Sequence, residues 1–345
     1  MSRILLIAVA ALLVTGCTSR ESQQTTSSGG PAASAAQQQN AGPGCPRSKT
    51  GYPQVDLKGA KVGFSQSEKE TNPFRIAETQ SIEDEAAKRG VELLVTNAQS
   101  DLNKQISDIK SLLDRGAKLL IVAPLNSDGL QPAFDAAKAK QVPVVTIDRK
   151  VTSQPCPDYL TFIGSDFVEQ GKRAAQQMIK ATGGSGKVAI LLGASGNNVT
   201  VDRTKGFKDG IANSGLQVVA EQTGEFDRSK GQAVMEQLIQ SNPDITAVYA
   251  ENDEMGLGAV IALKAAGKTP GKDVKIVSVD GTRSAVQLVA DGSYTAVIES
   301  NPRFGPLAFD TLEKFAKGDE IPQNIVISDD EYDSTNAQQK LGNAY

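Results

Sequence analysis

The sequence predicts an α/β protein built from two similar domains, each on a parallel sheet. Short apolar runs alternate with longer amphipathic ones from Lys58 onward, the pattern of strand–helix repeats. The short runs are continuously apolar, as strands covered on both faces require. A unit of strand, polar turn, Ala/Lys-rich helix and strand occurs twice, at 119–149 and at 247–281. Roughly 285 of the 345 residues follow the N-terminal segments, too many for one such sheet.

Before the body come segments of another kind. Arg3 precedes an apolar run, Ile4 to Val14. About 20 residues are needed to span a bilayer, so this run suits the core of a signal peptide. It ends in Val14-Thr15-Gly16-Cys17, which resembles the lipobox of bacterial lipoproteins. That resemblance implies removal of residues 1–16 and a lipid on Cys17 that holds the chain to the cell membrane. The alternative is an ordinary signal peptide with an incidental cysteine. Thr18 to Gly44 is Ser, Gln, Ala, Gly and Pro with Arg20 and Glu21 as its charges, so it reads as a flexible tether. Residues 17–57 are thus expected to be the lipidated cysteine, the tether and the approach to the fold.

An extracytoplasmic address permits disulfides. Cys45, at the start of the folded part, and Cys156, in Thr152-Ser-Gln-Pro-Cys-Pro157, are expected to bond; two free thiols are the alternative. Their separation, with no other nearby Cys or His, argues against a metal site.

The elements come in order along the chain. Asn72-Pro73 offers an N-cap and a first-turn proline for a helix that Gly90 closes, and Asp101 and Gly116 frame the next. Leu119–Ala123 and Val142–Ile147 read as strands, as does Val188–Leu192. A helix beginning near Asn198 precedes Gly215, and the strands Ala247–Tyr249 and Val274–Val279 come after it.

Composition excludes several chemistries. Lys plus Arg number 36 against 40 Asp plus Glu, a net charge of −4, which gives no electrostatic footprint for nucleic acid. There is no histidine, which removes Ser-His-Asp triads, Cys-His dyads and His-ligated metals. Carboxylate or lysine chemistry is not removed by it. Gly183-Gly-Ser-Gly186-Lys187 lacks Walker spacing, and Gly193-Ala-Ser-Gly196 lacks the dinucleotide fingerprint and reads as a tight turn. Asp329-Asp-Glu-Tyr-Asp333 lacks the glycine of a calcium loop and is expected to be a solvated acidic stretch. No cofactor and no metal are predicted.

In open parallel sheets ligands bind beyond the carboxyl ends of the strands. There stand Asp148-Arg149, Glu251-Asn252-Asp253 and Asp280-Gly281. Carboxylates, an amide and a guanidinium can exchange hydrogen bonds with hydroxyls in bidentate fashion, which suits a neutral polyhydroxylated ligand. Asn252 and Asp280 could each be a helix N-cap instead. Their recurrence at matching places in the two units favours a site.

The body resembles the sugar-binding proteins of bacterial ABC importers, of the ribose-binding type and nearest its galactofuranose- and fructose-binding branch. The motifs are Gly63-Phe-Ser-Gln66, Asn72-Pro-Phe-Arg75, Ile147-Asp-Arg149, Asp202-Arg-Thr-Lys-Gly-Phe207, Phe226-Asp-Arg-Ser-Lys-Gly231, Asn252-Asp-Glu-Met255, Val279-Asp-Gly281 and Gly305-Pro-Leu-Ala-Phe-Asp310. The resemblance implies the type I periplasmic binding protein fold: two doubly wound parallel-sheet domains joined by a three-strand hinge. One lobe would take 58–164 plus 301–329, the other 165–300 plus 330–345. Asp148, Arg149, Arg203, Asn252 and Asp280 would bond sugar hydroxyls, and Phe74 would face the C–H side of the ring. Phe226 would form a second apolar wall.

Arg75 stands where ribose-type proteins have a second aromatic, and Glu70, or Glu68 given a different loop length, would supply an added carboxylate. The extra charges favour a hexose in furanose form over a pentose. The implied protein is a monomer that delivers a monosaccharide to a membrane permease and is not an enzyme. A sugar-sensing receptor is the alternative role. A repressor of the same fold would need an N-terminal helix-turn-helix, where this chain has an apolar leader and a tether.

Overall fold

The computed structural model describes residues 44–345; the expected signal peptide, Cys17 and nearly all of the tether lie outside them. A four-residue helix α1 (Arg47–Thr50) opens the described chain. The alternation then runs β1 (Lys61–Gln66), α2 (Pro73–Arg89), β2 (Glu92–Asn97), α3 (Leu102–Asp114), β3 (Leu119–Val122), α4 (Gln131–Ala139), β4 (Val144–Ile147) and β5 (Thr161–Gly164). It continues with α5 (Phe167–Thr182), β6 (Ser185–Leu192), α6 (Asn198–Ile211), β7 (Gly215–Thr223), α7 (Arg228–Ser241), β8 (Ala247–Ala250), α8 (Asp253–Ala265), β9 (Lys275–Asp280), α9 (Arg283–Ala290) and β10 (Ala296–Glu299). Last come α10 (Gly305–Lys317), β11 (Asn324–Val326), β12 (Glu331–Asp333) and α11 (Ala337–Lys340).

Two six-stranded sheets result, in the orders β11-β5-β4-β3-β1-β2 and β12-β10-β9-β8-β6-β7. Neighbours pair in parallel except β12, which runs antiparallel to β10. The repeated unit of the sequence maps onto equal places: β3 and β4 in one sheet, β8 and β9 in the other. The continuous apolar strands have the cause expected of them. Leu119 and Ile121 of β3 face one core layer while Leu120 and Val122 face another. Val248 and Ala250 of β8 divide from Ala247 and Tyr249 in the same way.

Local signals set the helix ends that matter for the cleft. Asn72 accepts from Phe74 N at 2.9 Å with Pro73 in the first turn, and Gly90 closes α2 in the left-handed region at φ 66°. Asn197 caps α6 and Asn252 caps α8. Helices α5 and α6 meet through Gly171 and Gly206: a Cβ on Gly171 would strike the Arg203 carbonyl, and one on Gly206 the Val168 carbonyl. This glycine contact sets the height of Arg203 above the second sheet.

The chain passes between the sheets three times, at 164–167, 299–305 and 326–331. The stretch Asp329–Asp333 is therefore not a solvated acidic loop, as its charge suggested. Asp329 accepts from Ser165 Oγ and Gln170 Nε2, and Glu331–Asp333 pair with β10. Cys45 and Cys156 are bonded, with Cα atoms 5.3 Å apart, and Cys45 N donates to Ile321 O at 2.7 Å. Together they pin the N-terminal approach, whose Tyr52 and Leu57 enter the first core.

Gly171→Ala should cost about 1–3 kcal/mol through overpacking. A lowered thermal midpoint checks this, and a midpoint equal to the parent's would show that α5 and α6 can part freely.

The interlobe cleft

The carboxyl ends of both sheets face a cleft lined by Glu68, Asn72, Phe74, Arg75, Asp148, Arg149, Phe167, Val199, Arg203, Phe226, Asn252, Asp280 and Ser300. The first lobe supplies the turn after β1, the start of α2 and the residues following β4. The second supplies the starts of α5, α6 and α8, the β7–α7 turn and the end of β9. Eight of the nine sugar-contact residues expected from the sequence are here. The ninth, Glu70, is exposed and accepts a hydrogen bond from Thr79 Oγ1. The acidic side chain that reaches the cleft is Glu68, because the segment between β1 and α2 turns outward after it.

Glu68 bridges two guanidiniums, with Oε2 at 2.9 Å from Arg75 Nε and Oε1 at 2.8 Å from Arg149 Nη2. Arg75 also donates to Glu78 Oε2 at 2.8 Å and lies at the same distance from Asp148 Oδ2. It is thus a buried hub, only 3% exposed, and not a surface helix residue. Arg149 Nη1 donates to Leu125 O at 2.7 Å. In the second lobe Arg203 Nε donates to Gln170 Oε1 at 3.0 Å, Nη1 donates to Glu251 O, and Nη2 lies 3.7 Å from Asp280 Oδ1. Phe167 lies under the Arg203 guanidinium, 5.4 Å from Cζ to ring centre.

The two strand-end aspartates occupy matching places with unusual backbones, φ 65° at Asp148 and 144° at Asp280. Such conformations cost about 1–3 kcal/mol each and persist where surrounding structure holds them. Asp253 is one such holder, accepting from Gly281 N, Thr282 N and Thr282 Oγ1 at 2.7–3.0 Å. Thr282, not Asp280, caps α9, which leaves the Asp280 carboxylate for the cleft. Asn252 does both tasks: Oδ1 caps α8 through Met255 N, and Nδ2 donates to Phe226 O at 3.2 Å. Its neighbours Glu251 and Asp253 stand behind the lining. Phe226, at φ 59°, packs its ring on Gly193. Phe74 is held edge-on by Phe304 and Tyr345 at 6.4 and 6.3 Å.

Sequence reasoning did not single out Asn72, Phe167, Val199 or Ser300 as lining. Asn72 carried a visible capping signal, but nothing local marks Phe167 or Ser300, which reach the cleft because they flank crossovers.

Three guanidiniums and three carboxylates line the cleft, so their formal charges cancel. Asp148 Oδ2 and Arg149 Nε are nonetheless buried without a hydrogen-bond partner. The short approach of Arg75 to Asp148 Oδ2 is an ion pair outside hydrogen-bond geometry. A neutral ligand with closely spaced donors and acceptors satisfies both atoms without upsetting the charge balance. The cleft between the facing side chains has a volume of about 40 Å³.

Burial would raise the Glu68 carboxyl, but Arg149 and Arg75 bring it down to about 2. Burial pushes Glu78 up to about 7 against the pull of Arg75, and likewise Glu251 and Glu299 up to about 7. Asp280 is raised well above the usual carboxylate range by burial, which outweighs Arg203, with Asp253 adding to it. For the three glutamates the folded state holds protons that the unfolded chain has lost. Stability from them is therefore present at low pH and declines as pH rises through about 4.5 to 7. Glu68 acts oppositely, its contribution lost only as pH falls below about 4. The free protein should melt higher at about pH 5.5 than at about pH 8; scanning calorimetry at both values checks this, and the reverse order would contradict it.

Comparison with known proteins agrees with this layout. The family model described as a periplasmic binding protein domain matches residues 62–320. The ribose import binding protein of Bacillus subtilis is 38% identical over 255 residues, covering 74% of this chain and 81% of its own. The galactofuranose-binding protein of Escherichia coli is 35% identical over 272 residues, 77% of this chain and 85% of its own. Among solved structures, the periplasmic binding protein component of the arabinose ABC transporter from Shewanella sp. ANA-3, bound to α- and β-L-arabinofuranose, superposes with a TM-score of 0.79. It is 36% identical, with 82% of this chain and 94% of that one covered.

Proposed function

This chain belongs to the periplasmic binding protein family, and from that premise we propose that it captures a monosaccharide between its lobes and delivers it to an ABC permease. The observation that carries the sugar reading is the pair of buried polar atoms, Asp148 Oδ2 and Arg149 Nε, that take part in ion pairs within a charge-balanced cleft yet make no hydrogen bond. Phe74 supplies the apolar surface that covers the C–H face of a sugar ring, with Phe226 of the other lobe as a second apolar wall. The Glu68 bridge between Arg75 and Arg149 adds a carboxylate to the hydroxyl-binding set. That set favours a hexose in furanose form, with a pentose as the second choice.

Capture works by closure. Glu68, Arg75, Asp148 and Arg149 stand on one lobe and Arg203, Asn252 and Asp280 on the other, so an open cleft makes only part of the contacts and the sugar selects the closed form. The lobes are 58–164 with 301–329, and 165–300 with 330–345. A lipid on Cys17 and the tether keep the monomer at the membrane beside its permease.

A thermal-shift screen of the protein lacking residues 1–17 against D-galactose, D-fructose, L-arabinose and D-ribose tests this reading. A sugar at 100 times its Kd stabilises the folded form by about 2.7 kcal/mol. No shift with any sugar or polyol would sink it. Asp148→Asn keeps a residue type that tolerates the left-handed backbone. It should weaken binding roughly 10- to 100-fold while the free protein's midpoint stays near the parent's. Titration calorimetry reads the first and a melt the second; unchanged affinity would remove Asp148 from the site.

A further inference from the structure

The three crossovers converge on one side chain. Asp329, on the third, accepts from Ser165 Oγ of the first at 3.0 Å and from Asn301 N of the second at 3.2 Å, both through Oδ1. Its other oxygen accepts from Gln170 Nε2 at 2.8 Å. Gln170 lies on the first turn of α5, is 1% exposed, and also reaches Glu299 O at 3.4 Å, where the second crossover begins. Its Oε1 accepts from Arg203 Nε at 3.0 Å. Gln170 is thus the single side chain between a guanidinium of the cleft and the carboxylate that ties the hinge.

The chemistry at each end suits an amide of this reach. Arg203 can only donate and the Asp329 carboxylate can only accept, so the bridging group must accept on one side and donate on the other. Leucine or methionine at 170 would do neither. A carboxylate there would serve Arg203 but face the Asp329 oxygens. The crossovers are also where backbone angles must change when lobes open and close. A bond set joining all three exists in one hinge geometry and is strained or broken in others.

We propose that Gln170 and Asp329 form a hinge latch that couples the Arg203 guanidinium to the three crossovers, so that the hinge geometry of this structure and the placement of Arg203 are set together. Gln170 is a positioning residue: it acts on the ligand through Arg203 and does not line the cleft. The affinity consequence rests on the sugar reading above, whereas the hinge consequence does not.

The test uses the polarity of the latch. Asp329→Asn places an amide donor against the Gln170 amide donor, and Gln170→Glu places two carboxylates together. Combining them reverses the middle bond and restores it, with Arg203 still served by an acceptor. Hydrogen–deuterium exchange is followed at 164–167, 299–303 and 327–330 without sugar, beside titration with the sugar that shifts the parent most. Each single variant should raise exchange at all three crossovers at least about tenfold and weaken binding by a similar factor. The double variant should return both toward the parent. Exchange that rises only around the substituted residue, or a double variant no better than the singles, overturns the latch. Should no sugar or polyol shift the parent, the sugar reading falls while the exchange pattern still decides the latch.

Discussion

Burying six formal charges in one cleft sets the terms for the remainder of this fold. An isolated guanidinium or carboxylate cannot leave water cheaply, so each must be neutralised and hydrogen-bonded where it stands. Arg75 meets this through Glu68, Glu78 and Asp148, and Arg149 through Glu68 and two backbone carbonyls. Arg203 meets it through Gln170, the Glu251 carbonyl and Asp280. Much of the surrounding architecture exists to hold these partners. Helix caps orient the helices that carry them, and the glycine contact between α5 and α6 sets where Arg203 stands.

That pairing also explains how a rigid set of charges can handle a neutral ligand. The network is nearly self-sufficient, leaving Asp148 Oδ2 and Arg149 Nε in the cleft, and Glu78 Oε1 behind it, without hydrogen bonds. Hydroxyl groups exchange well for such contacts because each both donates and accepts. A charged ligand would unbalance a lining whose formal charges already cancel. Recognition of a neutral sugar would thus rest on satisfaction of the network, with no part for the net charge of the whole chain.

The hinge belongs to the same system. Here Arg203 is one hydrogen bond from Gln170, and Gln170 is one more from the carboxylate that gathers the three crossovers. Movement of the guanidinium and movement of the hinge cannot be independent while those bonds stand.

Features dictated by local chemistry were legible in the chain alone. Continuous apolar runs at 119–122 and 188–192 required cover on both faces, Asn72-Pro73 and Gly90 bounded a helix, and the doubled unit around Asp148 and Asp280 marked two equivalent strand ends. Those signals are readable because each acts within a few residues. Folding settled whatever depends on neighbours distant in sequence. Glu68 and not Glu70 reached the cleft, since the direction of a turn is set by what it packs against. Asp329 changed from an acidic surface residue to the centre of the hinge, because its partners lie more than a hundred residues away at Ser165 and Gln170 or on the facing crossover at Asn301. Charge along a chain says which groups need partners; only the fold says which partners they find.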